Sequence, residues 1–252
     1  MSNPAPPPAA SSTSAIPGGD TCGRRYTNAG EMWNVELKGD LYDEKDGWYG
    51  KSLAYWKKQE PTVSGVLGGM EHIHGADIAE SKAFIESIPT IGRTRALDCG
   101  AGIGRITKNL LAPLFAKTDL LEPMHHMLVV AQQELDMERV GHLIEASMEQ
   151  VTLTEKYDII VIQWTAIYLT DEHFVDFFSK CKSALSPGGI IFFKENTSSV
   201  NKFMVDKDDS SLTRSDQHYK ALFETSGLTL IKEDFQRTWP KDLLPVKMYA
   251  LQ

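Results

Sequence analysis

The chain has few cysteines, no long apolar run and no excess of basic residues, and each of these absences excludes some classes of protein. Cys22, Cys99 and Cys181 are too few and too scattered for a disulfide framework, and no CxxC pair suggests zinc, so we expect a reducing compartment. No segment approaches the roughly 18 to 20 apolar residues of a membrane helix, and the N-terminus lacks the regions of a secretory signal. The formal net charge of -8 opposes general nucleic-acid binding and suits a cationic partner.

The first part of the chain divides into a tail and a helical segment. With 252 residues, 42% of them hydrophobic, the chain is long enough for one large core with attached lobes. Residues 1 to about 20 are mainly Pro, Ala, Ser and Gly, so we expect residues 1–39 to be a mostly disordered tail. Residues 40–90 contain two amphipathic helical patterns, the second with Asp77 as its N-cap, joined by the flexible segment "EPTVSGVLGG".

Residues 91–252 read as one α/β domain. Short apolar runs, taken as strands, lie at 95–100, 118–122, 141–146, 157–164, 188–196, 228–235 and 245–252. Helical patterns lie between most of them, at about 104–115, 125–136, 171–184 and 216–226. This alternation predicts a mainly parallel sheet with helices on both faces. The last two runs have a connector too short for a helical crossover, so we expect the final strand to be antiparallel.

A glycine-rich turn and an acid predict an adenosine cofactor. "ALDCGAGIGRITKNLL" runs from a buried strand through Gly100, Gly102 and Gly104 into a helix, where the backbone can approach a ligand closely. The next strand ends at Glu122, about twenty residues on, where a carboxylate can accept hydrogen bonds from both ribose hydroxyls. These features do not separate NAD from S-adenosylmethionine. However, Arg105 replaces the third glycine of the dinucleotide motif, which favours a methyltransferase over an NAD-dependent oxidoreductase.

The segment "VDKDDSSLTR" carries Asp206, Asp208 and Asp209 within four residues. Its residues alone fit a solvated loop, a metal site, a general base or a receptor for a cation. The histidines of "HIH" at 72–74 and the pair at 125–126 lack metal-ligand spacing, so we expect no metal.

Several motifs together resemble those of the protein N-terminal methyltransferases, which modify the α-amine of X-Pro-Lys/Arg termini. They are "YWKKQEPTVSGVLGGMEHI", "ALDCGAGIGRITKNLL", "IQWTAIYLTDEHF" and "DDSSLTR", and the resemblance covers roughly Tyr55 to Gln252. It implies a class I S-adenosylmethionine-dependent methyltransferase fold: a seven-stranded, mainly parallel sheet with an antiparallel last strand and an N-terminal helical extension. Residues 40–90 would be a cap contributing to the substrate channel. It also implies N-terminal peptides as partners. From the apolar runs and the net charge we expect no membrane or nucleic-acid partner, and we expect a cytoplasmic location that extends to the nucleus.

The resemblance also implies roles for individual residues. The S-adenosylmethionine site, which would release S-adenosylhomocysteine, would comprise Gly100, Arg105, Glu122, Pro123, Met124, Met148, Glu149 and Gln163. The peptide site would comprise Trp56, Leu67, Ile73, Trp164, Asn196, Asp206, Asp209 and Ser211. The catalytic residues would be Asp209, Asn196 and Tyr168. Glu122, Met148 and Glu149 stand where the animal enzymes have Asp, Leu and Gln.

Two further departures from the family pattern concern the reaction and its specificity. Tyr168 stands where the family has an assisting histidine, and tyrosine, with a pKa of about 10, is a poor base at neutral pH. Because a protein α-amine has a pKa of about 7.7 to 8.0, a fraction is already neutral and no extreme base is needed. We therefore expect Asp209 to carry more of the proton transfer. The resemblance also implies that Asp206 with Asp209 receives the cationic side chain at the third position of the substrate. Leu244 replaces a tyrosine that animal members carry near the peptide.

The alternatives to protein N-terminal methylation are methylation of another small amine or protein, NAD-dependent oxidation, and a non-catalytic binding module.

Overall fold

The computed structural model describes residues 16–88 and 91–252. The strands are β1 (Gly18–Asp20), β2 (Arg25–Tyr26), β3 (Arg95–Cys99), β4 (Lys117–Leu121), β5 (Val140–Ile144), β6 (Tyr157–Gln163), β7 (Leu185–Asn196), β8 (Phe203–Asp206), β9 (Ser211–Thr213), β10 (Leu230–Phe235) and β11 (Val246–Leu251). The helices are α1 (Ala29–Glu36), α2 (Trp48–Trp56), α3 (Val63–Val66), α4 (His74–Glu86), α5 (His125–Glu134), α6 (Asp171–Ala184) and α7 (Asp216–Thr225). Within these residues no helix is long and apolar enough to cross a membrane.

The large sheet has the strand order β10-β11-β7-β6-β3-β4-β5. Strands β3 to β7 pair in parallel, whereas β11 runs antiparallel to both β7 and β10. Each of the seven apolar runs therefore forms a strand, and the prediction of a mainly parallel sheet with an antiparallel last strand is confirmed. All seven residues of β6 are buried, as expected for a central strand covered on both faces. The carboxyl ends of β3, β4 and β6 meet at one edge.

Helices cover both faces of this sheet and supply its core. On one face, α6 and α7 bring Phe174, Phe178 and Phe223 against Phe193 of β7, in a cluster of edge and stacked aromatic contacts. On the other face, α4 packs Phe84 on Phe192 at 5.5 Å between ring centroids. The alternation of Phe192 and Phe193 along β7 thus joins the two halves of the core.

The expectation that residues 1–39 are mostly disordered is wrong for residues 16–39. A second sheet has the order β2-β1-β8-β9, in which β1 runs parallel to β8. The packing reason is that Ile16, Tyr26 and Met32 are buried in the same cluster as Phe203 and Val205 of β8. Residues 1–15, on which the rest of that expectation falls, lie outside the described residues.

The local helix predictions need three corrections. Asp77 is not an N-cap, because α4 begins at His74 and places Asp77 in its first turn, fully buried. The segment predicted to be flexible contains α3, whose first turn is capped by the Thr62 hydroxyl accepting a hydrogen bond from the Gly65 amide at 3.0 Å. The helix predicted at about 104–115 is a π-helical stretch, Thr107–Leu111. The other predicted helices are present.

Candidate active site

The glycine turn after β3 approaches the end of β4. Gly100, Gly102 and Gly104 have φ values of +68°, +53° and +75°, which favour glycine. The Gly100 and Ala101 amides both donate to the carbonyl of Leu121, at 2.8 and 3.1 Å. A Cβ on Gly100 would lie 2.1 Å from Cγ2 of Thr165, so a larger residue does not fit. The turn is thereby fixed beside the residue that follows β4, Glu122.

The Glu122 carboxylate is held by two backbone amides. Its Oε2 accepts from Gly102 at 2.9 Å and its Oε1 from Met124 at 2.8 Å. Glu122 is only 7% exposed, and this burial raises the pKa of its carboxyl to about 7 despite the two hydrogen bonds. Each oxygen keeps a lone pair for a ligand, so the group can accept two hydroxyls.

A cavity opens at the carboxyl ends of β3, β4 and β6, between the sheet and α2. It is lined by all eight residues predicted to bind the cofactor: Gly100, Arg105, Glu122, Pro123, Met124, Met148, Glu149 and Gln163. Trp56, Trp164 and Tyr168, predicted to contact the peptide or to assist catalysis, line it as well. The remaining predicted residues, Leu67, Ile73, Asn196, Asp206, Asp209 and Ser211, lie outside its lining.

A buried charge cluster centred on Asp77 lies beneath this cavity. Arg105 Nη1 donates to Asp77 Oδ2 at 2.6 Å, and Gln163 Nε2 lies 2.8 and 3.0 Å from the two Asp77 oxygens. The Lys194 ammonium pairs with Asp77 Oδ1 and donates to the Ser81 hydroxyl at 2.9 Å. Sequence reasoning missed Asp77 and Lys194. The charged Lys194 inside the otherwise apolar run "IIFFKE" was the available signal.

The charge of this cluster suits the amino-acid end of S-adenosylmethionine. Arg105 and Lys194 share the Asp77 carboxylate, so these three ionised groups carry one excess positive charge. Gln163 Oε1 is buried and has no hydrogen-bond partner within the described parts of the chain. A carboxylate ligand would balance the excess charge, and an ammonium would satisfy the Gln163 oxygen. The donor set therefore fits this cofactor.

Trp164, which lines the cavity, has a strained backbone and an indole held by its neighbours. Its φ of 55° is strained for a bulky residue, and such strain is concentrated at functional sites. The Arg105 guanidinium carbon and the Lys194 ammonium lie 5.6 and 5.7 Å from its ring centroid, and the Trp239 ring centroid lies 5.7 Å away. Trp239, which sequence reasoning also missed, therefore helps to fix the Trp164 indole.

The turn between β8 and β9 brings Asp206, Asp209 and Ser211 together. Asp206 is paired with Ser211 across the two strands, and the Ser211 amide donates to Asp209 Oδ1 at 3.0 Å. The Tyr168 hydroxyl donates to Asp209 Oδ2 at 3.1 Å, which links this turn to the cavity wall. Burial, together with the charge of Asp206, raises the pKa of Asp209 above its usual range. We call residues 206–209 the acidic turn.

Asn196, Leu67 and Ile73 lie away from the cavity lining. Asn196 ends β7, and its amide donates to Oε1 of the preceding Glu195 at 3.0 Å. Glu195 is a further buried acid that sequence reasoning missed, and burial raises its pKa to about 8. Leu67 and Ile73 are buried on either side of the turn that leads into α4, and Val66, next to Leu67, does line the cavity.

The fold and the cavity define a class I S-adenosylmethionine-dependent methyltransferase. A family model described as AdoMet-dependent proline di-methyltransferase matches residues 44–252. Alpha N-terminal protein methyltransferase 1 of Arabidopsis thaliana is 39% identical, over 94% of this chain and 91% of that protein. N-terminal Xaa-Pro-Lys N-methyltransferase 1-B of Xenopus laevis is 38% identical, over 84% of this chain and 99% of that protein. A solved Leishmania major SAM-dependent methyltransferase is 59% identical with a TM-score of 0.93, covering 99% of this chain and 100% of that one.

The chain therefore belongs to the AdoMet-dependent proline di-methyltransferase family of α-N-terminal protein methyltransferases. The family resemblance and the prediction of S-adenosylmethionine as cofactor are confirmed. The alternative of an NAD-dependent oxidoreductase is not retained.

Proposed function

We propose that this enzyme methylates the free α-amine of proteins that begin X-Pro-Lys or X-Pro-Arg after Met removal. The observation that carries the proposal is the acidic turn, which Tyr168 joins to the wall of the cofactor cavity. A cationic side chain at the third position would meet Asp206 and Asp209 while the α-amine points toward the cavity. The names of the relatives, α-N-terminal and Xaa-Pro-Lys methyltransferases, support the same substrate class.

The cofactor supplies an electrophilic methyl group on its sulfonium when bound. For this chain, we propose that Arg105 receives the cofactor carboxylate and that Gln163 orients the neighbouring amino-acid atoms. Glu122 would accept the ribose hydroxyls, while Pro123, Met124, Met148 and Glu149 would enclose the ribose and adenine. Gly100 would permit close approach of the backbone.

Asp209 is our proposed proton acceptor. Burial is the main cause that raises the pKa of the Asp209 carboxyl, so this pKa lies closer to the pKa of the α-amine whose proton it would accept. Burial and the Asp209 charge raise the pKa of Tyr168 well above 10, so the hydroxyl keeps its proton and acts as a donor. We infer that Tyr168 orients Asp209, and that Asp209 accepts the proton directly or through water.

The remaining predicted residues would bind the peptide. Trp164 would pack on the proline ring, and Asn196 would hydrogen-bond the first peptide carbonyl. Ser211 would lie beside the third side chain. Trp56, Leu67 and Ile73 would line the channel from the N-terminal side. In support, Trp56 packs edge-on against Tyr168 with ring centroids 6.2 Å apart, which joins α2 to the catalytic pair.

Mass spectrometry of a methylated peptide tests this function. A Ser-Pro-Lys peptide incubated with enzyme and S-adenosylmethionine should gain the mass of one methylene group per transfer. The N-acetylated peptide should gain none, because its nitrogen cannot attack. Methylation of the acetylated control, or only of the lysine side chain, would contradict the proposed substrate. For location, we propose the cytoplasm and the nucleus, which imaging of a C-terminally tagged chain would check.

A further inference from the structure

The acidic turn contains one cation, Lys207, whose ammonium is directed away from the neighbouring acids. It pairs with Glu36 at the end of α1. Glu36 is only 8% exposed, and its other oxygen lies 3.0 Å from the Tyr26 hydroxyl. The Lys207 ammonium is thus held on the N-terminal side of the small sheet by a buried carboxylate.

The backbone of the turn is held from the same side. The Lys207 amide donates to the Thr21 hydroxyl at 3.0 Å, and the Thr21 amide donates to the Val205 carbonyl at 3.0 Å. The parallel pairing of β1 with β8 continues this contact as far as Gly18 and Phe203. Residues 16–36 therefore brace the turn and fix where the Lys207 side chain leaves it.

The consequence is a turn with three acids and no competing cation of its own. Within the described residues, no Lys, Arg or His lies in ion-pair distance of Asp206, Asp208 or Asp209. Asp206 Oδ1 accepts the Asp208 amide, and Asp209 accepts the Tyr168 hydroxyl and the Ser211 amide. These carboxylates keep lone pairs for an external cation. If the Lys207 ammonium turned toward them, it would neutralise one charge and compete with that cation.

We propose that Glu36 is a positioning residue that keeps Lys207 from neutralising the acidic turn, and thereby sets the preference for a cationic third residue in the substrate. This inference rests on the proposed function, since it requires the turn to receive the substrate cation. Asp20, the other buried acid of residues 16–36, already accepts the Arg24 amide and contacts the Tyr26 hydroxyl, at 2.8 and 3.0 Å. Glu36 is therefore the principal anchor for the ammonium.

Steady-state kinetics on two matched peptides tests the proposal. The peptides begin Ser-Pro-Lys and Ser-Pro-Ala and are otherwise identical, and the full chain is compared with Glu36→Gln, Lys207→Met and the double variant. Glu36→Gln should raise KM for the lysine peptide about three- to tenfold and leave the alanine-peptide KM nearly unchanged. The double variant should regain the parent KM, because the released cation is absent.

Three results would overturn the proposal. Equal losses on both peptides would reduce Glu36 to a general structural role, and an unrestored double variant would exclude Lys207 as the agent. If Glu36→Gln does not fold, the Lys207→Met variant tests the proposal on its own. We expect its KM to lie within about twofold of the parent value for both peptides. A fall in KM for the lysine peptide alone would contradict the proposal that Glu36 holds the Lys207 ammonium away from the turn. The affinity of the S-adenosylhomocysteine-bound enzyme for each of the two peptides is also measured for the parent and the same variants. A parent that binds but does not methylate would thus count against the proposed function alone.

Discussion

Asp209 and Tyr168 form the pair on which turnover should depend most. Burial and the Asp209 charge raise the pKa of Tyr168 well above 10, so its hydroxyl stays protonated and Asp209 is the member of the pair proposed to accept the proton. Asp209→Asn should lower kcat by about a hundredfold or more, whereas Tyr168→Phe should cost less than about tenfold. Single-turnover rates across pH measure both effects. Near-parent turnover by Asp209→Asn would remove it from the mechanism.

Glu122 should make cofactor affinity depend on pH. Its pKa of about 7 means that the carboxylate, proposed to accept both ribose hydroxyls, is lost as pH falls from 8 to 6. S-adenosylhomocysteine should therefore bind several-fold more weakly at pH 6 than at pH 8. The stability of the unliganded enzyme should change in the opposite sense. Since the folded-state pKa is raised above 4.5, this contribution is complete below about pH 4.5 and is lost as pH rises toward 7.

Calorimetric titration of S-adenosylhomocysteine at several pH values measures this effect. The control is Glu122→Gln, which cannot ionise and should bind weakly with a flatter pH dependence. A parent affinity that does not change between pH 6 and 8 would show that the Glu122 carboxyl titrates outside this window.

Individual side chains differ in how far the sequence could reveal them. Arg105 and Gln163 could be proposed as cofactor residues because they stand in the motifs "ALDCGAGIGRITKNLL" and "IQWTAIYLTDEHF", which carry the family resemblance. Asp77 could not, because an acid near the start of a helical pattern is usually a cap. Its burial depends on Lys194, which is far away in sequence, and on the packing of α4 against β7. The partners of a buried charge are set by tertiary contacts.

At the scale of elements, Asp77 should connect the stability of α4 to the cofactor site. Although burial favours the neutral acid, Lys194 and Arg105 lower the pKa of Asp77 below its usual value. Asp77→Asn would leave these two buried cations without a carboxylate, at a cost of about 3 to 5 kcal/mol in unfolding free energy. Denaturant unfolding checks this.

A matched control lies on the same helix. Glu86→Gln removes an exposed acid of α4 and should change the unfolding free energy by less than about 0.5 kcal/mol. Replacing the buried pair by Asp77→Leu with Lys194→Met should recover stability relative to Asp77→Asn, since it removes a charge of each sign. An Asp77→Asn variant as stable as the Glu86→Gln control would contradict the role of Asp77.

The elements of the large sheet were predictable and those of the small sheet were not. Strands such as β6 are continuous apolar runs bounded by turns, so local pattern reveals them. Strands β1 and β2 have only three and two residues, and β1 gains its order by pairing with β8. Strands this short are not long enough to show the hydrophobic periodicity by which a strand is recognised. Their structure depends on a partner that the local sequence does not contain.

At the scale of the whole molecule, cofactor binding should stabilise the fold. A ligand that binds only the folded state raises the unfolding free energy by about 2.7 kcal/mol at a hundred times its dissociation constant. S-adenosylhomocysteine should therefore raise Tm in a concentration-dependent way, and NADH should not. Thermal shift measurements with both ligands check this. An equal shift with NADH would mean that the cavity does not discriminate between adenosine cofactors.

The pairing of Gly18 with Phe203 affects the order in which parts of the chain can fold during synthesis. Strands β1 and β2 leave the ribosome first, but their partner β8 follows only after the strands from β3 to β7 have been made. Every residue of the cofactor cavity, up to Leu169, precedes β8 in the chain. The nascent polypeptide thus acquires its cofactor-binding residues first, and the acidic turn gains its N-terminal brace late. The substrate selection that we propose for this turn would therefore be among the last properties to form as the chain grows.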